Sequence, residues 1–291
     1  MAFPPEAFII GAQRSGTTSL ASLLNQHPDI TVSDPKEPDF FTINWDRGLD
    51  WYRSCFKQES RILVDASVSY AMAPVRQGVR HGSIVERILE LSPQARFVYM
   101  VRDPAERCYS SYWHDVRAGR EQRSLRQAVA QGAYYSNASF YYEQILNFLD
   151  HFSLDRFYFV SFPQFVRDPT TCASQCAAFF GANDGFNFKS EKAKNQAFLY
   201  NGFGRNMRDI FGENALKALS NFAHRHIPPF LHAGLKQAFY SQVPPMSDAD
   251  RSWLSDRFRE DTTAFQKLTG VSLSHDSLDL GVLPLSQQSM P

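Results

Sequence analysis

Residues 7–18, AFIIGAQRSGTT, constrain the fold of this chain more than any other stretch. Phe8-Ile9-Ile10 is an unalternated apolar run ending at Gly11, the pattern of a strand buried on both faces of a parallel sheet. Leu20, Leu23 and Leu24 then recur at helical spacing, and the pattern stops near His27-Pro28. Such a strand needs parallel neighbours beside it and helices over both faces. Further buried strands read at Arg61–Asp65, Phe97–Val101 and Phe157–Val160. Between them lie a helical stripe at Ile84, Val85, Ile88 and Leu89, a helix from about Ala105 to Arg117, and another marked by Tyr141, Ile145, Phe148 and Leu149. This alternation predicts an α/β fold with a central, mostly parallel sheet and right-handed crossovers. The pattern loosens from about Phe186, where Lys189, Lys192 and Lys194 cluster, and a last amphipathic helix runs from about Asp248 to Leu268, closed by Gly270. The expected organisation is one domain over residues 1–270 and a polar, mobile tail over 271–291.

Composition narrows the function. Lys+Arg and Asp+Glu both total 30 in 291 residues, so no chain-wide basic field for nucleic acid is present. No leader opens the sequence and no apolar run is long enough to span a bilayer, which sets the expectation of a cytoplasmic protein. Cys55, Cys108, Cys172 and Cys176 form no C-x-x-C pair; Cys172 and Cys176, four apart on a helix with Phe179 and Phe180, read as core. No metal site is expected.

The glycine-rich stretch has the outline of a phosphate-binding loop. Gly11 and Gly16 have the spacing of the glycines in G-x-x-x-x-G-K-[ST], and Thr18 stands at the final hydroxyl. A loop of this kind aims backbone N–H groups and the positive end of a helix at one anion. Yet Thr17 stands where a nucleotide triphosphatase carries its lysine, and the loop's cation is Arg14. A sulfonate donor fits such a loop better: the transferring SO3 group carries less negative charge than a phosphoryl group and needs no Mg2+, and one cation can stabilise the bridging oxygen as it leaves. The plainer alternative is a tight strand-to-helix junction.

The second motif, Val101-Arg102-Asp103-Pro104-Ala105-Glu106-Arg107-Cys108-Tyr109-Ser110-Ser111-Tyr112, leaves a strand end and enters a helix. Arg102 at the strand end and Ser110 within the helix can hold a second phosphate, one with a planar fork and the other with a short donor. An arginine capping a sheet edge is the alternative.

Together the two motifs resemble those of sulfotransferases that use 3′-phosphoadenosine 5′-phosphosulfate (PAPS). The first is similar to that family's 5′-phosphosulfate loop and the second to its 3′-phosphate motif. Pro35-Lys36-Glu37-Pro38-Asp39-Phe40-Phe41 resembles the K-E-x-x-F-F segment of the carbohydrate-type members, and residues 161–169 resemble the later segment usually written with Glu-Asp-Leu. The resemblance covers residues 6–181, and more weakly 247–270. It implies a three-layer P-loop NTPase-like α/β fold. It also implies that Arg14 contacts the bridging oxygen, that Ser15, Gly16, Thr17, Thr18 and Ser19 cradle the phosphosulfate through their N–H groups, and that Arg102 and Ser110 bind the 3′-phosphate. Glu37 becomes the general base, either with a pKa raised by burial or with proton transfer concerted with attack on sulfur. The alternative for Glu37 is an ion pair with Lys36.

The sequence departs from the carbohydrate-type pattern in two places. Arg14 replaces a loop lysine, turning a point charge into a fork. In Asp65-Ala66-Ser67-Val68-Ser69-Tyr70, Ala66 lacks a lysine and Val68 a proline. The expected acceptor is therefore a hydroxyl of a small metabolite or glycolipid as much as of a carbohydrate. His27, His81 and His114 are weaker candidates for the base, the run Arg76, Arg80, His81 and Arg87 for an acceptor channel, and Lys192, Lys194 and Asn195 for the nucleotide. An ATP-dependent small-molecule kinase and a non-catalytic nucleotide-binding protein are the rival functions.

Overall fold

The computed structural model describes residues 3–58, 60–72, 81–189, 198–200 and 240–273. Strands β1 (Ala7–Gly11), β2 (Ile30–Val32), β3 (Ile62–Asp65), β4 (Arg96–Val101) and β5 (Phe157–Ser161) form a parallel sheet in the order β2-β3-β1-β4-β5. The helices are α1 (Thr17–Leu24), α2 (Gly48–Ser54), α3 (His81–Leu91), α4 (Pro104–Arg117), α5 (Leu125–Ala130), α6 (Tyr134–Asn137), α7 (Tyr141–Leu149), α8 (Phe162–Arg167), α9 (Pro169–Phe179) and α10 (Asp248–Thr269). The strands expected from the apolar runs are all present. β2 was not anticipated, because three residues are too few to show a pattern.

Alternation along β1 builds the layers. Phe8 and Ile10 face a core with Ile84, Val85 and Ile88 of α3, Tyr141, Ile145 and Phe148 of α7, and Phe265 of α10. Ala7 and Ile9 face a second core with Leu20, Leu23 and Leu24 of α1 and Cys172, Ala173 and Cys176 of α9. Both cysteines are core residues, as their spacing predicts. An aromatic ladder crosses the first face, Phe8 stacking on Phe97 at 5.6 Å between centroids and Phe97 on Phe157 at 4.8 Å.

The described residues fall into two compact units. The larger holds the sheet. In the smaller, formed by residues 112–123 and 194–247, the Tyr112 hydroxyl donates to the Arg123 carbonyl, Arg120 pairs with buried Asp115, and Arg123 pairs with Glu121. There β6 (Phe198–Tyr200) pairs antiparallel with β7 (Tyr240–Gln242). Lys192, Lys194, Asn195, Arg76, Arg80 and nearly all of the tail lie outside the described residues.

Strand order positions the site. The chain leaves β1 toward β2 on one side and leaves β4 toward β5 on the other, so a crevice opens between their C-terminal ends. The glycine-rich loop leaves one lip and Arg102 the other.

Asp261 of α10 closes the start of α7: its two carboxylate oxygens accept from the N–H groups of Tyr142 and Glu143 at 3.1 and 3.0 Å. Burial pushes its pKa up to about 6. A carboxylate raised on folding binds its proton more tightly in the native state, so its contribution is full below about pH 4 and lost as pH rises through about 6. The stability advantage of wild type over Asp261→Asn should therefore shrink across that interval, measured by urea unfolding at several pH values.

Candidate functional site

The loop begins where Ala12 N–H donates to the Met100 carbonyl at 2.6 Å, tying the end of β1 to β4. Arg14 at φ 70° and Gly16 at φ 89° both take left-handed conformations. At Gly16 the left-handed backbone favours glycine, and a Cβ atom would stand 3.2 Å from the Phe165 ring and 3.4 Å from the Met100 methyl, a fit tight enough that the ring must yield slightly. The loop uses some of its N–H groups internally, Ser15 donating to Ala12 and Ser19 to Gly16. Those of Gly16 and Thr17, at the start of α1, have no such backbone acceptor among the described residues. The Ser15 hydroxyl is fully buried with no partner among the described residues, and Thr18 is exposed. An orphaned hydroxyl inside an anion-shaped turn costs about 1–3 kcal/mol unless a ligand or water meets it, and it fits a bound oxyanion.

The two sequence motifs touch. Arg14 Nε donates to Ser110 Oγ at 3.3 Å, and Arg102 Nη1 lies 3.5 Å from the Arg14 carbonyl. Arg102 lies over the Phe162 ring at 4.9 Å and donates through Nη2 to Glu106 at 3.0 Å. Glu106 also accepts from Arg251 of α10. Arg107 is scaffold: fully buried, it donates to Ser139, Ser111 and the Tyr135 carbonyl, while Ser111 donates to Gln13 of the loop. A buried arginine so fully paired fixes α4 against the loop. Nothing in the sequence separated its role from that of Arg102.

The 36–41 segment reaches the loop from the β3 side. Ser33 Oγ donates to the Lys36 carbonyl, and Lys36 Nζ donates to Thr17 Oγ1 at 3.3 Å and to Glu37 at 2.6 Å. The Glu37 side chain is 39% exposed, so the ion pair weighed against a catalytic role is present and the burial expected of a base is not. Asp39, two residues on, sits at φ 49° and accepts from Ser69 Oγ at 2.6 Å; burial is the main cause raising its pKa, and the Glu37 charge adds to it. Beneath lies Asp65, fully buried, accepting from the Tyr52, Tyr70 and Ser67 hydroxyls and from the Ser67 N–H. Burial pushes its pKa up to about 6. Ser67 Oγ in turn accepts from the Asp39 N–H, so this cluster props the 36–41 segment. His27 lies elsewhere, buried between Asn183 and the Asp29 N–H. His114, in the smaller unit, lies 3.1 Å from an Arg117 nitrogen.

A model of the sulfotransferase family matches residues 5–184, well over half of the chain, and the chain belongs to that family. Heparan sulfate glucosamine 3-O-sulfotransferase 6 of Homo sapiens is 29% identical over 187 residues, covering 61% of this chain and 52% of its own. Bifunctional heparan sulfate N-deacetylase/N-sulfotransferase 3 of Homo sapiens is 23% identical over 290 residues, 91% of this chain and 30% of its own. The chain thus spans about half or less of the length of these relatives. The crystal structure of a sulfotransferase from Alicyclobacillus acidocaldarius shares the fold, with a TM-score of 0.60 at 23% identity over 91% of this chain and 95% of that one. Among the described residues no helix is long and apolar enough to cross a membrane.

Gly16→Ala should lower stability by about 1–3 kcal/mol, since the left-handed backbone and the Phe165 contact both resist a methyl group. Denaturant unfolding checks this. An unchanged midpoint would show that the loop tolerates a side chain there.

Proposed function

We propose that the chain transfers a sulfonate group from PAPS to a hydroxyl of a small metabolite, glycolipid or carbohydrate. The observation that carries this reading is the Arg14–Ser110 hydrogen bond, which joins two anion-binding motifs at one crevice. A donor with a 5′-phosphosulfate and a separate 3′-phosphate fits that pairing. The Gly16, Thr17 and Thr18 N–H groups form the phosphosulfate cradle, while those of Ser15 and Ser19, expected to join them, already donate within the loop. Arg14 stabilises the bridging oxygen, and Arg102 and Ser110 hold the 3′-phosphate. Residues 1–270 act as one catalytic domain.

In the reaction the acceptor oxygen attacks sulfur in line. The new S–O bond forms as the bond to the bridging oxygen breaks, and adenosine 3′,5′-bisphosphate leaves with the electron pair. Glu37 takes the acceptor proton. Its exposure favours transfer concerted with attack over prior formation of an alkoxide.

Calorimetric titration tests the donor. Adenosine 3′,5′-bisphosphate should bind in clear preference to ADP or Mg2+–ATP, and Arg102→Ala should weaken it by about 10- to 100-fold through loss of a charge-assisted pair. Preference for Mg2+–ATP would sink the reading in favour of a kinase. Glu37→Gln should leave bisphosphate affinity within about twofold while cutting transfer from labelled PAPS by about 100- to 10,000-fold. The transfer assay uses a hydroxylated acceptor found by screening metabolites and glycans.

A further inference from the structure

The loop lacks the lysine of a phosphate-binding loop, and its own cation, Arg14, is turned toward Ser110. Another lysine fills the gap from outside. Lys36 Nζ donates to the hydroxyl of Thr17, the residue standing where that lysine would be, and also to Glu37. Three features hold the ammonium there. The Ser33 hydroxyl fixes the Lys36 backbone, the side chain is only 22% exposed, and Thr17 is itself buried. An ammonium has three donors, and these two contacts leave one for a further oxygen.

We propose that Lys36 is the residue that contacts the transferring sulfonate. This rests on the sulfotransfer reading above. The cation sits between the anion-binding loop and the carboxylate that receives the acceptor proton, which is where an SO3 group in transit lies. There it stabilises charge on the sulfonate oxygens as the S–O bond breaks, while Arg14 serves the bridging oxygen. It gives up no proton: the acceptor proton goes to Glu37 and the electron pair to the departing 5′-phosphate. The Lys36–Glu37 pair also keeps the base aimed at the same point. The division of labour follows from the contacts, with Arg14 serving the side of the loop that faces Ser110 and Lys36 serving the side that faces Glu37.

The test compares two ligands that differ by the sulfonate alone. Acceptor-free calorimetry with PAPS and with adenosine 3′,5′-bisphosphate is run on wild type, Lys36→Met, Lys36→Arg and Glu37→Gln, each checked for an unchanged melting temperature. Lys36→Met should weaken PAPS by about tenfold or more, the scale of a lost charge-assisted hydrogen bond, and the bisphosphate by less than about twofold. Lys36→Arg should recover part of the PAPS affinity, and Glu37→Gln should retain it. Equal weakening of both ligands would make Lys36 a structural prop of the loop and overturn the proposal, as would unchanged PAPS affinity. A wild type that binds neither ligand fails differently, because it removes the donor site itself.

Discussion

The burial of β1 on both faces is the constraint on which the rest depends. A strand with Phe8 and Ile10 on one side and Ala7 and Ile9 on the other must lie in the middle of a parallel sheet, with helices above and below. That placement puts its C-terminal end beside the end of β4, at the point where the chain departs in opposite directions. The loop, Arg102 and the 36–41 segment meet there. Packing then tightens the arrangement: Phe165 and Met100 press close to Gly16, and Arg107 locks α4 to the loop through Ser111 and Gln13.

Several of the site's cations meet a carboxylate within the protein. Lys36 holds Glu37, and Glu106 is shared by Arg102 and Arg251. Such pairing suits a chain with no net charge and keeps partly desolvated cations from standing alone. An anion bound as proposed would therefore exchange partners with the internal acids. Its affinity reflects a difference between two sets of ion pairs, and charge counting overstates it.

Much of this was legible in the sequence because it is written in short-range patterns. Unalternated apolar runs mark β1, β3, β4 and β5, and the leucine spacing marks α1. The two anion motifs are contiguous, so their positions at strand ends followed once the strands were placed. What escaped depends on contacts between distant segments. Lys36 reaching Thr17, Asp65 gathering Tyr52, and Phe162 lying under Arg102 join residues 13 to 60 positions apart with no local signature. The exposure of Glu37 escaped for the same reason, since burial is a property of what packs around a residue. β2 was too short to show any period.

The hydrogen bond between Arg14 and Ser110 has an entropic consequence. Two subsites already joined in the free protein lose little motion when one ligand spans both. A molecule carrying both anions gains from each end at nearly full effective concentration, whereas two separate anions must each be immobilised afresh. On the proposed donor site, the crevice would discriminate by the span between charges as much as by their number.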